Sequence, residues 1–516
     1  MLFNSPFFIF AFLPIAAIVF YLIGNRGHFR IATSWLVLAS LFFYGYWNPA
    51  YLWVIVGSIL VNYSLGVLLS ASATKGQLKN IVLAIGVVAN ILLLGYYKYV
   101  NFFIDTINRT GLSDIQIESI VLPLAISFFT FQQIAYLVDA WKGEVKEYNF
   151  LDYCLFVTFF PQLIAGPIVH HKEMLPQFKE GKTYKLNHFN ITIGISIFLV
   201  GLFKKVVIAD NLSVLASPVF SAAENGEVLH FFEVAEGVIA YTFQLYFDFS
   251  GYSDMAVGIA RLFGIRLPLN FNSPYKAENI IDFWRRWHIT LSRFLRDYIY
   301  IPLGGNRKGR SRRHINLMAT MLLGGLWHGA GWTFVFWGAL HGFYLIVNHG
   351  WQKIWKRRIN KWWSVAISRI VTLFLVMFAW IFFRAESFDG AMQILKGFTN
   401  LPHTPSENLG FIGDLLVFMG FQFNGPSISA SDIKVILMFF ALTAIVWFIP
   451  NTQQLFAKYR PAYGYSWRTD KPVLLQSLNR KFYWRPSVAW SVWIAILGAS
   501  SLLSLSQVSE FLYFQF

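Results

Sequence analysis

The stretch LMATMLLGGLWHGAGWTFVFWGALHGFYLIVN, within residues 317–350, is apolar except at its centre, where Gly324-Gly325-Leu326-Trp327-His328-Gly329-Ala330-Gly331 sets an ionisable imidazole among glycines. Hydrocarbon offers no hydrogen-bond partner, so a glycine-broken backbone with an ionisable side chain at membrane depth survives only inside protein or beside a water-filled cavity. His328 is therefore the first candidate for chemistry. An imidazole titrates near ambient pH and accepts a proton in a transition state, which is general-base work.

A second histidine, His288, lies in FWRRWHITLSRFLRDY, residues 283–298. On a helical wheel Phe283, Trp284, Trp287, Leu291, Phe294, Leu295 and Tyr298 share one face, and Arg285, Arg286, Arg293 and Arg296 share another. The segment is predicted to be one amphipathic helix lying at the membrane interface, with His288 on the boundary between its faces and looking into a cavity from the cytoplasmic rim. Gln244-Leu-Tyr246-Phe-Asp248-Phe-Ser-Gly-Tyr252-Ser-Asp254 adds two carboxylates and several hydroxyls to another apolar segment. Six residues separate the two acids, which places them on opposing faces of an unbroken helix, with Gly251 as a possible break. They read as structural or cavity-lining groups before catalytic ones.

These residues need a membrane scaffold. The 516-residue chain is 56% hydrophobic, 19% aromatic and only 13% charged, which excludes an ordinary soluble domain and predicts an all-α polytopic membrane protein. The first apolar run reads as a retained span. Cys154 is the single cysteine and reads as a small packing residue. The net charge of +16 lies between spans, so it points to topology and not to nucleic acid. Residues 261–316 carry 12 Lys or Arg against Glu278, Asp282 and Asp297, and the positive-inside rule turns that loop to the cytoplasm.

Spans are expected at 5–23, 31–47, 51–70, 80–100, 119–141, 188–206, 231–260, 370–384, 433–450 and 486–507. Charge parity requires two exceptions. Segment 150–169, broken by Pro161, Gly166 and Pro167, is predicted to be re-entrant from the cytoplasmic side, and 317–350 to leave and return on that side as two short helices meeting near His328. No internal repeat or low-complexity linker appears. The chain is read as one membrane domain over 1–516: N-terminal spans 1–141, the re-entrant segment 150–169, a catalytic core 188–385 and C-terminal spans 386–516. No phosphate loop, Gly-x-Ser-x-Gly elbow, His-Glu-x-x-His or Cys/His metal spacing is present, and no metal is expected. Residues alone leave two classes open. One is an intramembrane acid–base enzyme with a basic cytoplasmic rim for an anionic donor; the other is a transporter of an acyl group or lipid-linked sugar, for which broken helices and midplane charges are equally typical.

Five ordered motifs narrow this: Phe160-Pro-Gln-Leu-Ile-Ala-Gly-Pro167, Gln244-Leu-Tyr-Phe-Asp-Phe-Ser-Gly-Tyr252, Phe283-Trp-Arg-Arg-Trp-His288-Ile-Thr-Leu-Ser292, Leu326-Trp-His328-Gly329 and Phe382-Phe-Arg-Ala385. Together they resemble the membrane-bound O-acyltransferase (MBOAT) family, in its bacterial alginate O-acetyltransferase-like branch, with peptidoglycan, cellulose and teichoic-acid acylation proteins nearby. The resemblance implies a ring of roughly 10–12 transmembrane helices around a thin centre, with re-entrant segments and cytoplasmic interfacial helices. It implies His328 and His288 as catalytic residues. It implies no permanently held cofactor and acetyl-CoA as the donor, its phosphates expected to meet Arg285, Arg286, Arg293, Arg296 and Arg307. Trp327, Gln244, Tyr246, Asp248, Tyr252, Asp254 and His341 are expected to line the tunnel, His341 as a structural or secondary site because Gly338 and Gly342 suit close packing. The implied partners are the lipid bilayer, an exported serine-esterase-like (SGNH-type) acetyltransferase and a polysaccharide acceptor, with the chain in the bacterial cytoplasmic (inner) membrane.

The topology is tested by cysteine labelling in a Cys154→Ser background. Lys172→Cys, Lys308→Cys and Lys356→Cys are expected to label from the cytoplasmic side only. Labelling of Lys172→Cys from outside would make 150–169 a true span.

Overall fold

The computed structural model describes residues 1–71, 74–111, 113–145, 149–354, 361–402, 411–426, 429–465, 483–505 and 512. Nearly all of them are helical, and the strands among them are one short parallel pair, Asn400–Pro402 with Gln422–Gly425. Several helices are apolar on every face. In Phe8–Asn25 the inward Phe8, Phe12, Ala16 and Phe20 are buried while Phe10, Ile15, Ile18 and Leu22 stay exposed. A helix with no polar face is at home only in protein or in hydrocarbon. Phe8–Asn25, Pro49–Ser70, Gly76–Arg109, His188–Glu224 and Trp362–Arg384 are long and apolar enough to cross a bilayer, and Phe29–Gly45 and Val488–Leu503 are shorter apolar helices. This is the predicted all-α membrane architecture.

The described residues form two compact units. The first comprises Met1–Phe203, Ser250–Asn270 and Thr452–Gln515, and the second Lys204–Phe249 and Phe271–Asn451. In the first, helices close up at glycines: a Cβ on Gly194 would stand 2.8 Å from the Gly258 carbonyl, and one on Gly201 would stand 2.6 Å from that of Gly251. Such small-residue seams let backbones approach where no hydrophobic force drives helices together. Gly251, one possible break in the sequence reading, does not interrupt Phe231–Leu262, which runs through it as one 32-residue helix because there the glycine serves packing.

Boundaries differ from the sequence reading where polar residues sit inside helices. The run predicted at 188–206 continues through a wide turn at Lys204–Ala209 to Glu224, and that predicted at 80–100 continues to Arg109. The one predicted at 119–141 begins only at Ile126, and 370–384 is the end of Trp362–Arg384. Segment 150–169 is broken as predicted, into Phe150–Thr158 and Phe160–Leu163. At 1.5 Å per residue its longer piece rises roughly 14 Å, under half of a bilayer core. Phe159 leaves the helical region ahead of Pro161, and Gln162 Nε2 donates to the Phe156 carbonyl at 2.8 Å beside the break. The basic residues Lys356, Arg357 and Arg358, Lys146, and Arg468, Lys471, Arg480 and Lys481 lie outside the described residues, as does all of the terminal FLYFQF except Leu512.

In the second unit the segment around His328 is two helices, Arg310–His328 and Trp332–Ile354, longer than the short pair predicted. The break is also narrower. Gly324 and Gly325 are helical, and only Gly329, Ala330 and Gly331 separate the helices. Gly325 instead faces the partner helix, where a Cβ would collide with the Phe334 carbonyl; from the later helix a Cβ on Gly338 would collide with the Met321 carbonyl, and one on Gly342 would stand 2.8 Å from Met318 Sδ. Because the obstacle at Gly338 is backbone, Gly338→Leu is expected to lower the yield of monodisperse, detergent-extracted protein several-fold. Gly350→Leu, on the same helix with open space around its Cα, is expected to leave the yield unchanged. Size-exclusion profiles at matched expression check both.

Candidate active site

His328 is the last residue of its helix, where the chain turns out at Gly329 into extended backbone. It is 6% exposed. Its ring is packed by Trp327 at 5.0 Å between centroids, Trp337 at 5.2 Å and Phe383 at 5.3 Å, and the His288 ring lies 6.2 Å away. The two histidines named from sequence are thus brought together, from segments forty residues apart.

The route by which His288 arrives corrects the sequence reading. Residues 283–298 are not one interfacial helix. Ile280–Trp284 ends, His288 takes a left-handed backbone with φ +43°, and Ile289–Leu295 begins. Such a φ is uncommon for a non-glycine residue and marks a position held by its surroundings. The kink withdraws His288 from the rim: it is fully buried, edge-on to Phe249 at 4.8 Å and beside Trp327 at 6.1 Å. The apolar face assigned to the segment does point inward, with Phe283, Trp284, Trp287, Leu291, Phe294 and Leu295 buried.

Large aromatics wall the pair. Trp380 stacks on Trp337 at 5.7 Å and packs on Trp287 at 5.0 Å. Its indole N–H donates to the Tyr275 hydroxyl at 3.2 Å, and that hydroxyl donates to the Thr242 carbonyl at 2.7 Å. Trp447 Nε1 donates to the Tyr275 carbonyl at 2.9 Å. A chain of hydrogen bonds therefore fixes the tryptophan wall by its polar ends, the usual requirement for burying indole and phenol. His341 belongs to this wall. It is fully buried, accepts a hydrogen bond from Trp284 Nε1 on its Nδ1 at 3.2 Å, and packs on Trp337 at 4.8 Å.

Among the other residues named from sequence, Gln244 and Asp248 lie one turn apart and buried, and Tyr246 packs on Tyr275 at 5.3 Å. Asp248 meets Lys205 at 2.6 Å, and Lys205 also meets Asp210 at 2.9 Å, all three 2–4% exposed. Sequence reasoning missed Lys205 and Asp210, the lysine standing unremarked inside the predicted span 188–206. The signal was that Asp248 needs a cation at membrane depth. Tyr252 and Asp254 fall in the first unit, where Tyr252 stacks on Phe3 at 4.7 Å and Asp254 accepts from Thr452 Oγ1 at 2.6 Å and Gln453 Nε2 at 3.0 Å. The arginines do not act as one face. Arg286 bonds Asp282 at 2.9 Å and Arg296 bonds Asp297 at 2.7 Å; Arg293 is half-buried, and Arg285 and Arg307 are exposed. The aromatics Trp287, Trp337, Trp380 and Phe383 were not singled out for the site, though Trp287 and Phe383 both stand inside the five motifs. Among the described residues no three His, Cys, Asp or Glu side chains converge as metal ligands.

A multi-pass helical membrane protein with two buried histidines in an aromatic enclosure has the parts for proton transfer away from bulk water. The family model described as MBOAT, membrane-bound O-acyltransferase family, matches residues 124–390, which include both histidines. A peptidoglycan O-acetyltransferase of Helicobacter pylori is 44% identical over 473 residues, 85% of this chain and 89% of its own length. A probable alginate O-acetylase AlgI of Azotobacter vinelandii is 34% identical over the full length of both chains, and that of Pseudomonas aeruginosa 40% identical over 77% of this chain and 74% of its own. The chain belongs to the membrane-bound O-acyltransferase family and is an O-acyltransferase, as the motifs led one to expect.

Burial pushes the His288 imidazole from its ordinary 6.5 down to about 3, so it is neutral in the folded protein. The unfolded chain binds that proton below about pH 6.5. Stability from this residue is therefore full above 6.5 and lost as pH falls through the window towards 3, at about 1.4 kcal/mol per pH unit. Acidification from about pH 7.5 to 5 is expected to lower the melting temperature of the wild type more than that of His288→Gln. Parallel slopes in detergent-solubilised samples would contradict this assignment.

Proposed function

We propose that the protein transfers acetyl from cytoplasmic acetyl-CoA through the bacterial inner membrane, for O-acetylation of an exported cell-envelope polysaccharide. The observation carrying this reading is the His328–His288 pair, 6.2 Å apart inside an aromatic enclosure at a helix break. In the transfer, an acceptor hydroxyl attacks the thioester carbonyl carbon while His328 takes the hydroxyl proton, a step worth typically about 10²–10⁴ in rate. The carbonyl π pair moves to oxygen, then re-forms the carbonyl as the C–S bond breaks. The proton on His328 passes to the leaving sulfur, giving ester and CoA thiol. His288, neutral, orients the acceptor or the thioester by hydrogen bonding. Exposed Arg285 and Arg307 are free to meet CoA phosphates, with Arg286, Arg293 and Arg296 contributing where their partners yield.

The relatives named for peptidoglycan and alginate acetylation support a carbohydrate acceptor. The acceptor proposed here is an SGNH-type acetyltransferase on the far side of the membrane, which hands acetyl to the polymer. A teichoic acid D-alanyltransferase of Streptococcus thermophilus, 27% identical over 52% of this chain and 69% of its own length, supports an acyl group as the unit transferred.

Purified protein in liposomes with labelled acetyl-CoA and a soluble hydroxyl acceptor tests the reading. Acetylated acceptor with stoichiometric CoA release is expected, and His328→Ala is expected to lower turnover by at least about 10²-fold at equal folded protein. Label movement without thioester cleavage would make the chain a transporter, and near-wild-type turnover of His328→Ala would remove His328 from the mechanism.

A further inference from the structure

Two buried N–H donors, one of them on the ring packed against His328, take no part in the proton transfer. Trp337 and His341 stand one turn apart on Trp332–Ile354, their rings 4.8 Å apart, and the Trp337 ring packs edge-on to His328 at 5.2 Å. Trp337 is 1% exposed and His341 fully buried. Trp337 Nε1 and His341 Nε2 are each buried and make no hydrogen bond with any described residue. The proton positions follow from chemistry. Indole nitrogen only donates, so the Trp284–His341 bond forces Nδ1 of His341 to be the acceptor and its neutral ring to carry hydrogen on Nε2.

Buried donors without partners cost folding stability, and their retention calls for an explanation. Acyl transfer supplies one. As the hydroxyl attacks, negative charge grows on the former carbonyl oxygen, and preorganised N–H donors in a water-poor site stabilise it without reorganisation. Two donors one helical turn apart, one of them on the ring packed against the base, are suited to one oxygen. Arginine or lysine in that place would bind the ground-state carboxyl and phosphate groups of many metabolites; neutral N–H groups respond mainly to the charge that develops.

We infer that Trp337 Nε1–H and His341 Nε2–H form the oxyanion-binding pair of this acyltransferase, with Trp284 as the positioning residue that fixes the His341 tautomer. The inference rests on the proposed reading of His328 as base. The donors hydrogen-bond the acyl carbonyl oxygen, strengthen as it becomes an oxyanion and relax as the C–S bond breaks. They exchange no proton, so His328 carries the only proton transferred.

The test uses purified full-length protein and release of CoA thiol from acetyl-CoA in the presence of the hydroxyl acceptor. His341→Leu and Trp337→Phe are each expected to lower kcat by about 10²–10³, with KM for acetyl-CoA unchanged. His341→Gln, which returns an N–H near the position of Nε2, is expected to recover about tenfold over His341→Leu. Trp284→Phe is expected to lower kcat several-fold and shift the acidic limb of the pH–rate profile, because the freed Nδ1 then competes for protons. Wild-type kcat in Trp337→Phe, no recovery in His341→Gln, or losses confined to KM would overturn the pair. Should His341→Leu not fold, Trp337→Phe and His341→Gln decide alone: normal kcat in the first, or a kcat in the second reduced below that of Trp337→Phe, overturns it. A wild type that releases no CoA, or one indifferent to His328→Ala, would instead remove the parent reading.

Discussion

Everything at the site depends on how closely Arg310–His328 and Trp332–Ile354 approach. Side chains on both helices would keep their axes about 8–10 Å apart. Gly338 and Gly342 remove that spacer and let the later helix settle onto the backbone around Met318 and Met321. Two consequences follow from one contact. Trp337 and His341, flanking Gly338, are carried to the neighbourhood of His328, and the Gly329–Gly331 connection is left short enough that the chain reverses immediately after the histidine. A larger residue at Gly338 would displace the chemistry as well as the fold.

The second constraint is electrical. Lys205 sits between Asp210 and Asp248 with all three nearly inaccessible, an arrangement in which desolvation is large and each charge is tolerated only because the others are present. The reacting region is built differently. Its groups are imidazole, indole and phenol, each with a neutral form and each held by hydrogen bonds such as Trp284 to His341 and Trp380 to Tyr275. Among the described residues of the second unit the buried acids and lysines are thus confined to this cluster, and the histidines are left in surroundings where a single proton matters. In the proposed mechanism a fixed carboxylate against His328 would raise its basicity but also hold its proton back from the leaving sulfur.

What the sequence disclosed, and what it withheld, follows from the range of the interactions. Span lengths, the broken segment at Pro161 and the helical pair around His328 are local, written in runs of apolar residues and in their breakers. His328 and His288 were legible because an ionisable group in an apolar run is costly wherever it ends up. The left-handed turn at His288 was not, since the FWRRWHITLSRFL pattern has perfect helical periodicity and only tertiary packing interrupts it. Nor was the partnership of Asp248 with Lys205 and Asp210, some forty residues apart. Glycines misled in both directions: Gly251, Gly324 and Gly325 looked like breaks and are helical, because at membrane depth a glycine marks a close neighbour as often as a bend.

The withdrawal of His288 from the rim also bears on how the reaction is kept from going astray. On the proposed reading, a thioester beside an activated hydroxyl hydrolyses whenever water can replace the acceptor, so the reacting pair must be unreachable by bulk solvent yet open to a chosen oxygen. A helix running straight through 283–298 would leave His288 on the interface, in water. The reversal at φ +43° places it at 0% exposure against Phe249 and Trp327, while Arg285 and Arg296 remain outside. One strained residue therefore separates a wet, cationic surface that suits an anionic carrier from a dry, neutral interior that suits acyl transfer. The backbone strain at that residue is the cost of keeping the two environments a single turn apart.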